Sequence, residues 1–154
     1  MKQVLFFSVL FSIIFSTHIM AQIGACSISA KGILEGENGE IFKTEYDKYN
    51  VDKTVLSKGN FNGVSIQIVL GNWCEDSQRE VPRFMKIFDT PIFDVPVSFH
   101  LVNREKFCAD PEVQKLEVKY VPAFIFLRDG KEIGRIIETP EGSLEANMAK
   151  IVGQ

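Results

Sequence analysis

The chain is poor in the residues that make a functional site easy to read. It has two histidines, three dispersed cysteines and no run of lysine or arginine in 154 residues. Structural zinc is held by four Cys or His ligands, commonly in close pairs, so this supply argues against a zinc module. The formal net charge is −3, and no basic stripe offers the electrostatic footprint of a nucleic-acid binder. Beyond the first fifteen residues no apolar run approaches the roughly 20 residues of a membrane span. No repeat or long low-complexity stretch divides the chain, and neither a metal nor a cofactor is expected.

What is present begins with a leader. Lys2 is followed by VLFFSVLFSIIF (residues 4–15), about the length of a signal-peptide core and short for a membrane span. Cleavage is expected between Ala21 and Gln22, with a small residue at −1 and the larger Ile19 at −3. The leader takes Lys2 and His18 with it, so the net charge becomes −4 and His100 is the remaining histidine. The mature chain, with no span of its own, is expected to be exported, to the periplasm of a Gram-negative bacterium. A second reading competes. Ile23-Gly24-Ala25-Cys26 resembles the lipobox of bacterial lipoproteins, which would make Cys26 a lipid-anchored N-terminus. The apolar run ends eleven residues before Cys26, a long gap for such a signal. Three cysteines in an oxidising compartment leave at least one free, lipidated or paired with another molecule. For Cys26 a lipid, a disulfide and a tail thiol all stay open.

Residues 22–60 read as an N-terminal extension of loop and one short helix. KGILEGENGE is rich in Gly and Glu and reads as turn, and Asp52 can cap a helix through Leu56 that stops near Gly59. A single domain is expected over 61–154. VSIQIVL (64–70) is β-branched and mostly apolar, as in a central strand. Val81, Phe84, Met85 and Phe88 then lie on one face of a helix from Glu75, with Pro82 inside it as a source of a kink. Residues 95–102 read as a strand, and 110–118 as a short helix with Asp110 as cap and Pro111 at its first position. Asp129-Gly130 joins two strands as a tight hairpin. A last helix is expected over 141–152. Crossover and hairpin together require a mixed central sheet with helices on both faces, an α/β fold.

These elements resemble the thioredoxin family over about residues 61–152. Trp73-Cys74-Glu75-Asp76-Ser77 is similar to its Trp-Cys-x-x-Cys motif except at the last place. Pro82 corresponds to the proline inside the active-site helix, Val121-Pro122 to the hydrophobic residue and cis-proline beside the sulfur, and Asp129-Gly130 to the closing hairpin. The sequence also looks like exported bacterial thioredoxin-like proteins with Trp-Cys-x-Asp-Ser. Two departures stand out: Ser77 replaces the resolving cysteine, and Ile68 occupies the place of the buried acid of thioredoxins proper.

The residues themselves carry a chemical expectation for Cys74. A helix N-terminus presents unpaired N–H groups and a positive dipole end, which favour a reactive thiolate. Glu75 and Asp76 oppose this by repulsion, and Ser77 is expected to donate its hydroxyl hydrogen to the sulfur. The resemblance implies a groove framed by Trp73, Val121 and Pro122. The leading expectation is a monothiol thiol–disulfide oxidoreductase acting through mixed disulfides with protein or small-molecule partners. The rival is a redox-inactive binding or chaperone-like module, in which Cys74 and Trp73 only fill space. Peroxide chemistry at Cys74 has no specific residue behind it. Cys108 reads as a loop thiol without a role, His100 as structural, and the phenylalanine-rich stretches as core.

Overall fold

The computed structural model describes residues 26–91 and 93–153. The expected leader and its expected cleavage site lie outside these residues. The element order is β1 (Ser27–Ile28), α1 (Ala30–Glu35), α2 (Gly39–Lys48), α3 (Lys53–Leu56), β2 (Val64–Leu70), α4 (Glu75–Phe88), β3 (Val97–Leu101), α5 (Pro111–Gln114), β4 (Ala123–Arg128), β5 (Lys131–Ile137) and α6 (Leu144–Val152).

The strands form one sheet in the order β1-β3-β2-β4-β5. β2 runs parallel to β3 through the α4 crossover, while β1 on β3, β4 on β2 and β5 on β4 are antiparallel. β2 is central, which explains its nearly continuous apolar sequence: Ile68 lies between Phe99 and Phe124. Because side chains alternate across a strand, two cores form. Ile66, Ile68, Leu70, Phe99, Phe124 and Phe126 pack with α4 and α6 on one face. Val69, Val102, Val121, Ala123 and Ile125 pack on the other, with Val113 of α5. The expected mixed sheet with helices on both faces is therefore present.

Local chemistry sets several element ends as expected. Asp52 accepts from Val55 N–H at 3.0 Å to start α3, and Asp110 accepts from Glu112 N–H at 2.9 Å to start α5, whose first residue is Pro111. Asp129 and Gly130 take φ of 52° and 76°, the two left-handed positions a two-residue hairpin needs. α6 crosses β5 closely at Gly134, where a Cβ would stand 2.9 Å from Ile151 Cγ2. The edges shift inward: β3 begins at Val97, α5 ends at Gln114, and α6 begins at Leu144, capped by Ser143.

The extension needs correction. Residues 26–60 are not loop with one short helix; they supply a strand and three helices. Nor do they stand apart from the domain, since Ile33, Phe42 and Leu56 are buried in the same core as Phe84 and Met148. Phe42 with the half-buried Tyr46 and Tyr49 makes one helical face at i, i+4 and i+7. Ile41, 45% exposed, obscures that period in the sequence. α2 is fastened to α4 by charge: buried Glu80 takes Arg79 Nε at 2.7 Å and Arg83 Nη1 at 3.2 Å, and Arg83 reaches Glu45 at 3.4 Å. Buried Glu145 on α6 accepts from Tyr49 O–H at 2.8 Å and Asp52 N–H at 3.0 Å. Burial, together with that hydrogen bond, pushes the Tyr49 phenol well above its ordinary range.

Candidate functional site

β2 ends at Leu70, and the chain turns once before α4. Cys74 N–H donates to Gly71 O at 3.0 Å, closing a four-residue turn over Gly71, Asn72, Trp73 and Cys74. Gly71 is required there, because a Cβ would meet the Trp73 ring at 2.6 Å. The indole lies against that glycine and donates from Nε1 to Val102 O at 3.2 Å. Arg104 and Lys106 stand 5.2 and 5.8 Å from its centroid, within cation–π range. Trp73 is thus a half-buried wall of an open groove that Phe107, Asn103 and Ala109 also line.

Cys74 is the N-cap of α4, as expected, and is half-exposed. Its side chain makes no capping hydrogen bond. The thiol turns to the neighbouring loop and donates from Sγ to Val121 O at 3.1 Å. The Val121–Pro122 bond is cis. Both side chains of that pair are buried, and the Val121 carbonyl is what this loop offers the thiol as a hydrogen-bond acceptor. Tyr120, just before it, is 58% exposed.

Ser77 is placed differently from the expectation. It is fully buried, and its Oγ accepts from Gly71 N–H at 3.2 Å. No hydrogen bond joins it to Cys74 among the described residues. A hydroxyl one turn into the helix faces back under the preceding strand, where Gly71 has lost its ladder partner. Its observed role is to satisfy that buried donor.

The other two cysteines pair. Cys26 and Cys108 form a disulfide with Cα atoms 5.7 Å apart, 82 residues apart in sequence. This corrects the reading of Cys108 as a loop thiol without a role. It also places Cys26 in a disulfide, one of the readings open for it. Only three cysteines exist, so Cys74 is the one free thiol of the chain. The disulfide lines the same groove as Trp73. His100 lies on β3 opposite Ser27, buried, with Nε2 2.7 Å from Gln67 Oε1 and, among the described residues, no partner on Nδ1. Burial holds its pKa below the ordinary histidine value, against a smaller opposing pull from Asp110.

Three residues of this site carried no sequence signal: Asn72, Gln78 and Asn38. Asn72 O accepts from Gln78 Nε2 at 2.7 Å and from Asn38 Nδ2 at 3.1 Å, and Asn72 Nδ2 donates to Glu37 at 3.0 Å. Among the described residues no group of His, Cys, Asp and Glu is arranged to hold a metal, and no helix is long and apolar enough to cross a membrane.

The strand order, the cysteine at the start of the crossover helix and the cis-proline loop against its sulfur define a thioredoxin-like fold. No family model and no curated sequence matches the chain. Solved structures do. A Pseudomonas aeruginosa protein of unknown function is 13% identical, with 85% of this chain and 91% of that one covered and a TM-score of 0.60. A thioredoxin of Malassezia sympodialis is 23% identical over 67% and 86%, with a TM-score of 0.46. Thioredoxin O2 of Arabidopsis thaliana is 20% identical over 64% and 84%, with a TM-score of 0.46. At 13% identity the likeness to the Pseudomonas protein is one of fold.

Proposed function

We propose that this protein carries out thiol–disulfide exchange through Cys74 alone. The observation behind this reading is a division of labour among three sulfurs. Cys26 and Cys108 are joined to each other, while Cys74 is free and half-exposed at the start of α4, against the Val121 carbonyl. The Cys74 thiolate attacks one sulfur of a substrate disulfide, forms a mixed disulfide and expels the other sulfur as a thiolate. Ser77 cannot finish the exchange, because a hydroxyl does not displace sulfur from a disulfide. An external thiol does so, regenerating Cys74 and leaving with the substrate sulfur. Trp73 and the Val121–Pro122 backbone frame the approach.

An exported location accompanies this reading. The leader over 1–21 supports it, and a disulfide closing so long a stretch of chain fits an oxidising compartment such as the periplasm. Mass spectrometry of the native protein should find Gln22 at the N-terminus. An intact Met1 on envelope-located protein would refute export by this leader.

The test of the chemistry compares wild type with Ser77→Cys and Cys74→Ser on a disulfide substrate such as insulin. Well-oriented intramolecular attack carries effective molarities of about 10⁵ M or more. Ser77→Cys should therefore form a 74–77 disulfide and gain reductase turnover. Wild type should trap partners and release them slowly, and Cys74→Ser should do neither. Wild type reducing insulin as fast as Ser77→Cys overturns the monothiol account.

A further inference from the structure

The N-terminal helices do more than fill a core face, because one turn of theirs is clasped to the turn that carries Cys74. Gly36 to Gly39 form a tight turn between α1 and α2, with Gly39 N–H on Gly36 O at 3.0 Å. It lies against the Gly71–Cys74 turn, and the two exchange side chains. Asn38 Nδ2 donates to Asn72 O, and Asn72 Nδ2 donates to Glu37 Oε2. Gln78, on the first turn of α4, donates to the same Asn72 oxygen at 2.7 Å.

The position of that oxygen gives the clasp its meaning. In a four-residue turn the central peptide is the one element that can rotate without breaking the closing hydrogen bond, and the turn types differ by its orientation. In the Gly71–Cys74 turn the central peptide joins Asn72 to Trp73. Its carbonyl is held by two amide donors, one from the extension and one from α4. Rotating it would forfeit both and re-aim Trp73, whose nitrogen belongs to that peptide and which directly precedes Cys74.

Asn38 is also misused by the standards of its own helix. It is the N-cap of α2, where an asparagine side chain ordinarily accepts from its own first turn. Here it makes no capping hydrogen bond, holds a left-handed φ of 64° and spends its amide on Asn72. A local preference given up for a contact 34 residues away marks a residue under a tertiary demand. Gly39 allows that geometry, since a Cβ there would stand 2.2 Å from Leu34 O.

We infer that Asn38 and Gln78 are positioning residues for Cys74, acting through the Asn72 carbonyl, and that the α1–α2 extension is thereby part of the site. The inference rests on the reading of Cys74 as the working thiol. It is tested on the thiol directly, so its failure is separable from failure of the exchange reading.

The experiment measures the pH dependence of Cys74 alkylation by iodoacetamide in the full mature chain, with thermal melting alongside. Asn38→Gly keeps the left-handed backbone and deletes only the amide. Gln78→Ala deletes the second donor and favours the helix. Each should slow alkylation at neutral pH, and the double variant should displace the pH–rate profile, with a rate loss on the order of five- to tenfold, roughly one or two hydrogen bonds' worth. Because both donors share one acceptor, the double effect should differ from the sum of the singles. Glu37→Gln, which keeps an acceptor for Asn72, should behave as wild type, while Glu37→Ala should move toward the double variant. A double-variant profile superimposable on wild type overturns the inference, whether or not the melting temperature falls. A fall in melting temperature alone would show a merely structural clasp.

Discussion

Ser77 Oγ accepts the Gly71 N–H at 3.2 Å, and both residues are buried. The residue at the resolving position of the motif therefore completes the backbone of the strand end. Ser77→Ala should leave the Gly71 donor buried and unpaired, which costs about 1–3 kcal/mol. Urea denaturation should register that loss, while the alkylation rate of Cys74 stays close to wild type. A large fall in Cys74 reactivity with Ser77→Ala would instead restore the hydroxyl as a direct partner of the sulfur.

The disulfide sets the thiol count. Native, unreduced protein should titrate one thiol per chain with Ellman's reagent, and reduced, denatured protein three. Replacing Cys26 and Cys108 by serine should lower stability by roughly 2–4 kcal/mol, because the bond closes a long loop of the unfolded chain. Three thiols in the native protein would refute the pairing.

Phe42 tests whether the extension belongs to the fold. It is fully buried among residues of α4, α6 and the sheet. Phe42→Ala should cost about 3–5 kcal/mol, the range for deleting a buried aromatic. A loss under about 1 kcal/mol by chemical denaturation, small for any buried substitution, would show a dispensable appendage.

His100 predicts a pH dependence whose sign follows from its burial. With Nε2 on Gln67 and Nδ1 without a partner among the described residues, protonation would bury a donor without an acceptor. Its pKa is lowered in the folded state, so the unfolded chain binds the proton more readily. The stability linked to His100 is fully present above the unfolded value of about 6.5 and is lost as pH falls from there through the folded value. Urea midpoints measured from pH 7.5 down to pH 5 should fall in wild type and flatten in His100→Gln. Equal slopes in the two proteins would remove His100 as the source.

Much of the fold could be read from the sequence because its signals are local. The apolar run of β2, the capping Asp52 and Asp110, Pro111 at a helix start and the left-handed pair Asp129-Gly130 each declare themselves within a few residues. Cys74 at the start of α4 was legible for the same reason: a strand end, a turn and an amphipathic helix follow one another. What only the tertiary structure decided involves partners far apart along the chain. Cys26 meets Cys108 across 82 residues, a pairing that three cysteines alone do not specify. The extension hid α1 and α2 because they are short and Ile41 blurs the period of Phe42, Tyr46 and Tyr49. α2 is held by packing on α4 and α1 by packing on α2, which no local pattern records. Ser77 looked like a neighbour of the sulfur by spacing, yet the turn of α4 directs its hydroxyl to Gly71. The Asn38–Asn72 clasp left no trace in either segment, since a polar side chain at a turn reads the same whether it meets water or a second turn.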